Sequence, residues 1–84
     1  MSEERIRLSF EDAVAMLPDG DEIHTFLNPG AGLMVGVDWH REEVVGLIRS
    51  HGAELSGPEA TRMGHGLVVI RGSEPVFIAT KRQL

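Results

Sequence analysis

Arg62 and His65 stand three residues apart in the stretch TRMGHG (residues 61–66), with Thr61 before them and glycines at 64 and 66. These side-chain types bind anions. A guanidinium holds phosphate or carboxylate through two parallel bonds, and a hydroxyl and an imidazole add single donors. Glycines on both sides of the histidine free the backbone, so that neighbouring N–H groups can turn toward one negative charge. The same residues have a plainer reading. Gly64 then ends a short helix with a left-handed residue, Gly66 lets a strand pass close to its neighbour, and His65 fills the turn. The stretch is not a phosphate loop, because it lacks the longer glycine spacing and the Gly-Lys-Ser/Thr ending.

Other combinations carry less chemistry. His24, His40, His51 and His65 are separated by 16, 11 and 14 residues, and the chain has no cysteine. No standard zinc-ligand spacing results, so no metal and no other cofactor is expected. Asp19, Asp21 and Glu22 crowd one turn without the remaining positions of a calcium loop. Ser50 and His51 are neighbours at a helix end and point apart, and no Gly-x-Ser-x-Gly occurs. Asp21, Glu22, Glu54 and Glu59 offer acid–base pairs, as any acidic small protein does, and a small hydrolase is the third-ranked reading. Trp39 and Arg41 are of the types that most often anchor interfaces. Equally, Trp39 could close the core where a hairpin meets a helix.

These residues must be positioned by a small number of elements. In SFEDAVAMLPDG, Ser9 is a helix N-cap with Asp12 three residues on, and Phe10, Ala13, Val14 and Leu17 form one apolar stripe. Pro18 stops the helix and Pro18-Asp19-Gly20 turns the chain. DEIHTFLN and LMVGVD flank PGAG and predict a hairpin. With Leu27 opposite Leu33, Ile23, Thr25, Leu27, Leu33, Val35 and Val37 share a core face. Glu22, His24, Phe26, Met34 and Gly36 share the other, with His24 opposite Gly36.

DWHREEVVGLIRSHG predicts a second helix capped by Asp38 and stopped by Gly52, with Gly46 implying close packing in its middle. PEATRM predicts a short helix with Pro58 in its first turn. GLVVIRGSEPVFIAT predicts a second hairpin turning at Gly72-Ser73, apolar on both faces, with Pro75 marking an edge or a start beside one. SFEDAVAM and SGPEATRM share Ser-x-x-Asp/Glu-Ala-x-x-Met and each precedes a hairpin, a faint internal echo. The expected fold is α+β, an antiparallel sheet of about four strands built from two hairpins with helices mainly on one face, in the order α-β-β-α-α-β-β.

Composition bounds the function. The chain has 84 residues with 13 acidic and 8 basic side chains, a net charge of −5, and 42% hydrophobic residues. That length holds a single domain, 1–84, with one core. No apolar run approaches the roughly 18 residues of a membrane span, and MSEERIRLS has no secretory apolar segment, so a cytoplasmic setting is expected. An acidic domain gains nothing from neutralising phosphates, so no direct nucleic-acid binding is expected. The same charge suits competition for a basic surface on a partner. The two apolar faces of the second hairpin predict a homo-oligomer, a dimer first of all, to cover the face that helices leave open.

LPDGDEIHTFLNP (residues 17–29) and LSGPEATRMGHGLVV (residues 55–69) resemble small proteins of phages and prophages, over most of residues 9–80. No residue role comes with that likeness. It implies a bacterial host cytoplasm and an accessory protein, and by analogy an inhibitor of a bacterial defence protein or complex that acts by binding, not as an enzyme. Trp39 and Arg41 would be contact residues. The alternative is a protein that sequesters a small anionic ligand, such as a nucleotide signal, through Thr61, Arg62 and His65 with His24 as a second donor at a dimer seam.

Overall fold

A computed structural model describes residues 6–30 and 32–81. The chain runs β1 (Arg7–Leu8), α1 (Phe10–Ala15), β2 (Glu22–Gly30), β3 (Leu33–His40), α2 (Arg41–His51), β4 (Ala53–Leu55), α3 (Pro58–Arg62), β5 (Leu67–Arg71), β6 (Glu74–Ile78). All six strands form one sheet in the order β1-β4-β5-β6-β2-β3, with every pairing antiparallel. The α+β class and both hairpins agree with the sequence reading. The four-strand expectation is corrected to six, because β1 and β4 are two and three residues long and show no alternation of their own. They exist by pairing: Leu8 sits opposite Ala53, and Leu55 opposite Leu67.

Local rules account for most boundaries. Ser9 Oγ accepts the Asp12 N–H at 3.1 Å and starts α1, whose Ala13 is buried with Leu17 just beyond the helix end. Gly52, with φ of 79°, closes α2 as its C-cap. Gly72, with φ of 64°, takes the first turn position between β5 and β6.

The core lies between the sheet and the pair α1 and α2. Ile23 of β2, Leu67 and Val69 of β5, and Val76 and Ile78 of β6 meet Ala13, Leu17, Val44 and Ile48. Thr25 shares this face, and its hydroxyl donates to the Val37 carbonyl at 2.8 Å, which satisfies the polar group before burial. Trp39 and Leu27 pack at the margin. Leu33 and Val35, expected on the core face, lie toward the hairpin end and are exposed.

Several local expectations are overturned. In the first hairpin Leu27 pairs with Val35, His24 with Asp38 and Phe26 with Gly36, two residues from the expected register; the pairing shifts again between Leu27 and Gly30. A shift of two keeps every side chain on its face, so the division into faces survives. Asp38 does not cap α2, because β3 continues to His40 and the first helical N–H, that of Arg41, bonds the Asp21 carbonyl at 2.7 Å. Nothing lies within 4 Å of a Cβ built on Gly46, so close packing is not its reason. Pro75 is not on an edge strand: β6 is interior, but its pairing with β2 runs only over Val76, Phe77 and Ile78, so no ladder bond to β2 is lost at Pro75.

The internal echo is not structural. Ser9 caps α1, whereas α3 has Gly57 as N-cap with no side-chain bond. The two helices also lie on opposite faces, since α3 flanks the surface carrying Phe26 and Phe77; with α1 and α2 on the core side, the helices are still mainly on one face.

Candidate ligand-binding groove

The residues between the core positions of the strands project to the second face. There His24 and Phe26 from β2, Met34 from β3 and Phe77 from β6 meet α3 and the turn that follows it. The helix is short, and Gly64, with φ of 91°, turns the chain back beneath it. The His65 N–H donates to the Ala60 carbonyl at 2.8 Å, and the His65 carbonyl accepts from the Ser56 hydroxyl. These bonds fix His65 under α3, where it is 6% exposed. Gly66 then passes so close to Thr80 that a Cβ there would stand 2.8 Å from the Thr80 hydroxyl. The plain reading of both glycines therefore holds: one is a turn residue and the other a close approach.

Between α3 and the first hairpin an open groove of about 690 Å³ remains, walled by Phe26, Phe77, Met34, Met63 and the His65 ring, with Asn28 and Glu59 among its polar margins. The His65 ring lies 4.5 Å from that of Phe26 and 5.7 Å from that of His24, centre to centre. Both of its ring nitrogens are buried without a hydrogen-bond partner. Burial lowers the His65 pKa below 6.5; the nearby His24 lowers it further, and the Met63 carbonyl, not in bonding geometry, offsets only part of this. His65 is thus a neutral imidazole with one N–H and one lone pair unused, an uncommon state for a buried polar side chain.

His24 also makes a different contact. Its Nδ1 lies 2.6 Å from Asp38 Oδ1, directly across the strand pair, and its ring covers Gly36 at 2.9 Å from where a Cβ would be. The space above Gly36 is filled by the imidazole. An aspartate on Nδ1 orients a histidine for proton transfer, but among the described residues no hydroxyl bonds its other nitrogen. No group of three or more His, Asp or Glu among the described residues is placed to hold a metal ion.

The proposed anion ligands are not brought together. Thr61 Oγ1 donates to the Gly57 carbonyl at 3.0 Å and contacts Ser56, on the exposed side of α3. Arg62 is exposed and does not line the groove. The N–H groups of Gly64, His65 and Gly66 are taken by Thr61, Ala60 and Thr80 at 3.0, 2.8 and 3.2 Å, so no nest of free donors exists in this turn.

Trp39 and Arg41 lie elsewhere. Trp39 sits at the core margin on the opposite face with the Arg71 guanidinium 5.6 Å from its ring centre, and Arg41 Nη1 donates to the Pro18 carbonyl at 2.6 Å. These contacts join elements of the fold. The groove residues Phe26, Met34, Met63 and Phe77 were not singled out from sequence as a site. Alternation had already placed His24, Phe26 and Met34 on one face, and only the path of α3 across it was missing.

No known protein family, curated protein or solved structure matches the chain.

Proposed function

We propose that this chain is a non-enzymatic binding protein whose working surface is the groove on the α3 side of the sheet. One observation carries the reading: the face under α1 and α2 packs into the core over its middle strands, while the other leaves an aromatic and methionine-lined groove open beside a buried imidazole with no hydrogen-bond partner among the described residues. Such a lining is built mainly to hold an apolar group, and among the described residues no hydroxyl bonds the nearby Asp38–His24 pair. The likeness to small phage and prophage proteins supplies the finer proposal, inhibition of a bacterial defence protein or complex in the host cytoplasm. The partner's apolar side chain would enter the groove, and the net charge of −5 would favour a basic surface around it. Homodimerisation belongs to the same proposal, and sedimentation as a monomer at micromolar concentration would remove it.

Immobilised protein exposed to lysate from bacteria carrying defence systems should retain a defence component, and Met63→Glu should release it. An empty resin, or equal retention by the variant, contradicts the protein-partner form of the reading.

A second reading, capture of a small ligand, is favoured by the unpartnered imidazole of His65. Its nucleotide form loses support, because the donors expected to bind phosphate are dispersed or already bonded.

A further inference from the structure

We infer that the groove is a site for a flat aromatic small molecule, neutral or positively charged, held between the rings of Phe26 and Phe77 and the thioethers of Met34 and Met63. The inference rests on the groove being the working surface and needs no protein partner.

Size and lining set the class. A volume of about 690 Å³ falls within the range of drug-sized ligand pockets, which are mostly apolar with a few polar groups. Phe26 and Phe77 are adjacent cross-strand partners on β2 and β6, so their rings form one patch of floor. Thioethers pack well on ring edges and adapt to different outlines, and Met34 and Met63 are 49% and 65% exposed where that floor opens. A flat ring system fills such a space better than a branched aliphatic chain does.

Charge narrows it further. Glu59 lines the groove, among the described residues no lysine or arginine does, and Asp38 stands on the same sheet face. A carboxylate or phosphate would meet acidic groups and no cation among the described residues, whereas a neutral or cationic ring system avoids that opposition. His65 supplies the direction. It is the buried polar side chain of the wall, and among the described residues its two ring nitrogens make no hydrogen bond of good geometry, the Met63 carbonyl being only nearby. They are shielded from solvent, so the bond requires a rearrangement of the wall when the ligand enters. A heteroaromatic N–H or ring nitrogen placed there gives the imidazole the bond it lacks, which selects such rings over plain hydrocarbons.

Calorimetry with three probes of one ring and different charge tests this: tryptamine as cation, 3-methylindole as neutral and indole-3-propionate as anion. Tryptamine and 3-methylindole should bind, and the propionate should bind about tenfold more weakly or not at all, the scale of a misplaced charge at a partly desolvated site. Ala60→Trp, which fills the groove from α3, should abolish binding of all three. Should that variant not fold, Met34→Lys at a half-exposed position should reverse the order and favour the propionate. His65→Phe should keep the fold and weaken 3-methylindole severalfold. The inference is overturned by no binding of tryptamine and 3-methylindole at millimolar concentration, by equal binding of cation and anion, or by affinities unchanged in these variants. Probe binding without any retained protein in the lysate experiment would remove the protein-partner proposal alone. A retained partner released by Met63→Glu, with no probe binding, would remove this inference alone.

Discussion

On the α1 and α2 side of the sheet, Ile23, Leu67, Val69, Val76 and Ile78 lie under two helices, and the buried Thr25 hydroxyl among them is bonded to a carbonyl. On the α3 side the intervening residues of the same strands include His24, Phe26, Val68 and Phe77, with Met34 of β3 beside them. Val68 is buried, Phe26 and Phe77 are half-buried, Met34 is exposed, and the covering helix is five residues long. The second face retains apolar area without enough helix to close it, together with a buried imidazole that has no bonding partner. One face is closed as a core over its middle strands, with Leu33 and Val35 exposed only at its hairpin end. The other keeps the features of a surface that holds something else. A sheet with two apolar faces thus need not recruit a whole second subunit; part of its second face can be covered by the chain's own turn and the remainder left as a groove.

The sharpest way to break this contrast is to make the same kind of deletion on each face and measure unfolding by denaturant. Leu17→Ala, at a fully buried core position, should cost about 2–5 kcal/mol, the usual range for a leucine cavity. Met34→Ala on the groove face should cost less than about 1 kcal/mol, because its side chain is already half in water. Equal losses would mean that the groove face is also core.

Next in size is Gly66→Ala. Its Cβ would press on the Thr80 hydroxyl, which accepts the Gly66 N–H, and a loss of about 1–3 kcal/mol is expected from such overpacking. Unchanged stability would show that the two segments can separate.

His65→Phe removes the buried polar atoms and should raise stability at pH 7 by roughly 1 kcal/mol, the low end of the cost of an unsatisfied buried group. The pH profile sharpens this. The unfolded imidazole titrates near 6.5 and the folded one lower, so protonation favours the unfolded chain first. The His65 contribution is therefore most favourable above pH 6.5 and declines as pH falls through that value toward the depressed folded pKa. The stability difference between His65→Phe and the parent should widen on acidification over this window. A difference independent of pH would contradict the buried neutral imidazole. The smallest effect belongs to Gly46→Ala, in mid-α2 with open space around it, which should stabilise by about 0.5–1 kcal/mol through helix propensity.

How far the two faces were legible in the sequence follows from what each depends on. The core face was readable because Ile23, Thr25 and Leu27 alternate, Ala13 and Leu17 repeat at helical spacing, and Ser9 marks a start. The roles of Gly64 and Gly66 were readable as turn and close approach. Three things depended on long-range pairing and were not. β1 and β4 are too short to show a period and exist only by pairing with each other and with β5. The first hairpin's register depends on the shift between Leu27 and Gly30, which moved His24 from Gly36 to Asp38 and removed Asp38 from the α2 cap. The face chosen by α3 could not be read from PEATR, which has no apolar stripe, and on that choice depends the separation of Thr61 and Arg62 from His65. Trp39 and Arg41 have the residue types of an interface, but a guanidinium 2.6 Å from the Pro18 carbonyl is engaged in the fold.

The central claim, that one face holds the fold and the other binds, is tested most directly by methyl NMR on protein labelled at methionine, with tryptamine as titrant. Met34 and Met63 line the groove, while Met16 packs at the core on the opposite side. The account predicts that the Met34 and Met63 methyl signals move together and saturably while that of Met16 stays in place. Movement of Met16 with the other two still, or no movement of any, would contradict it.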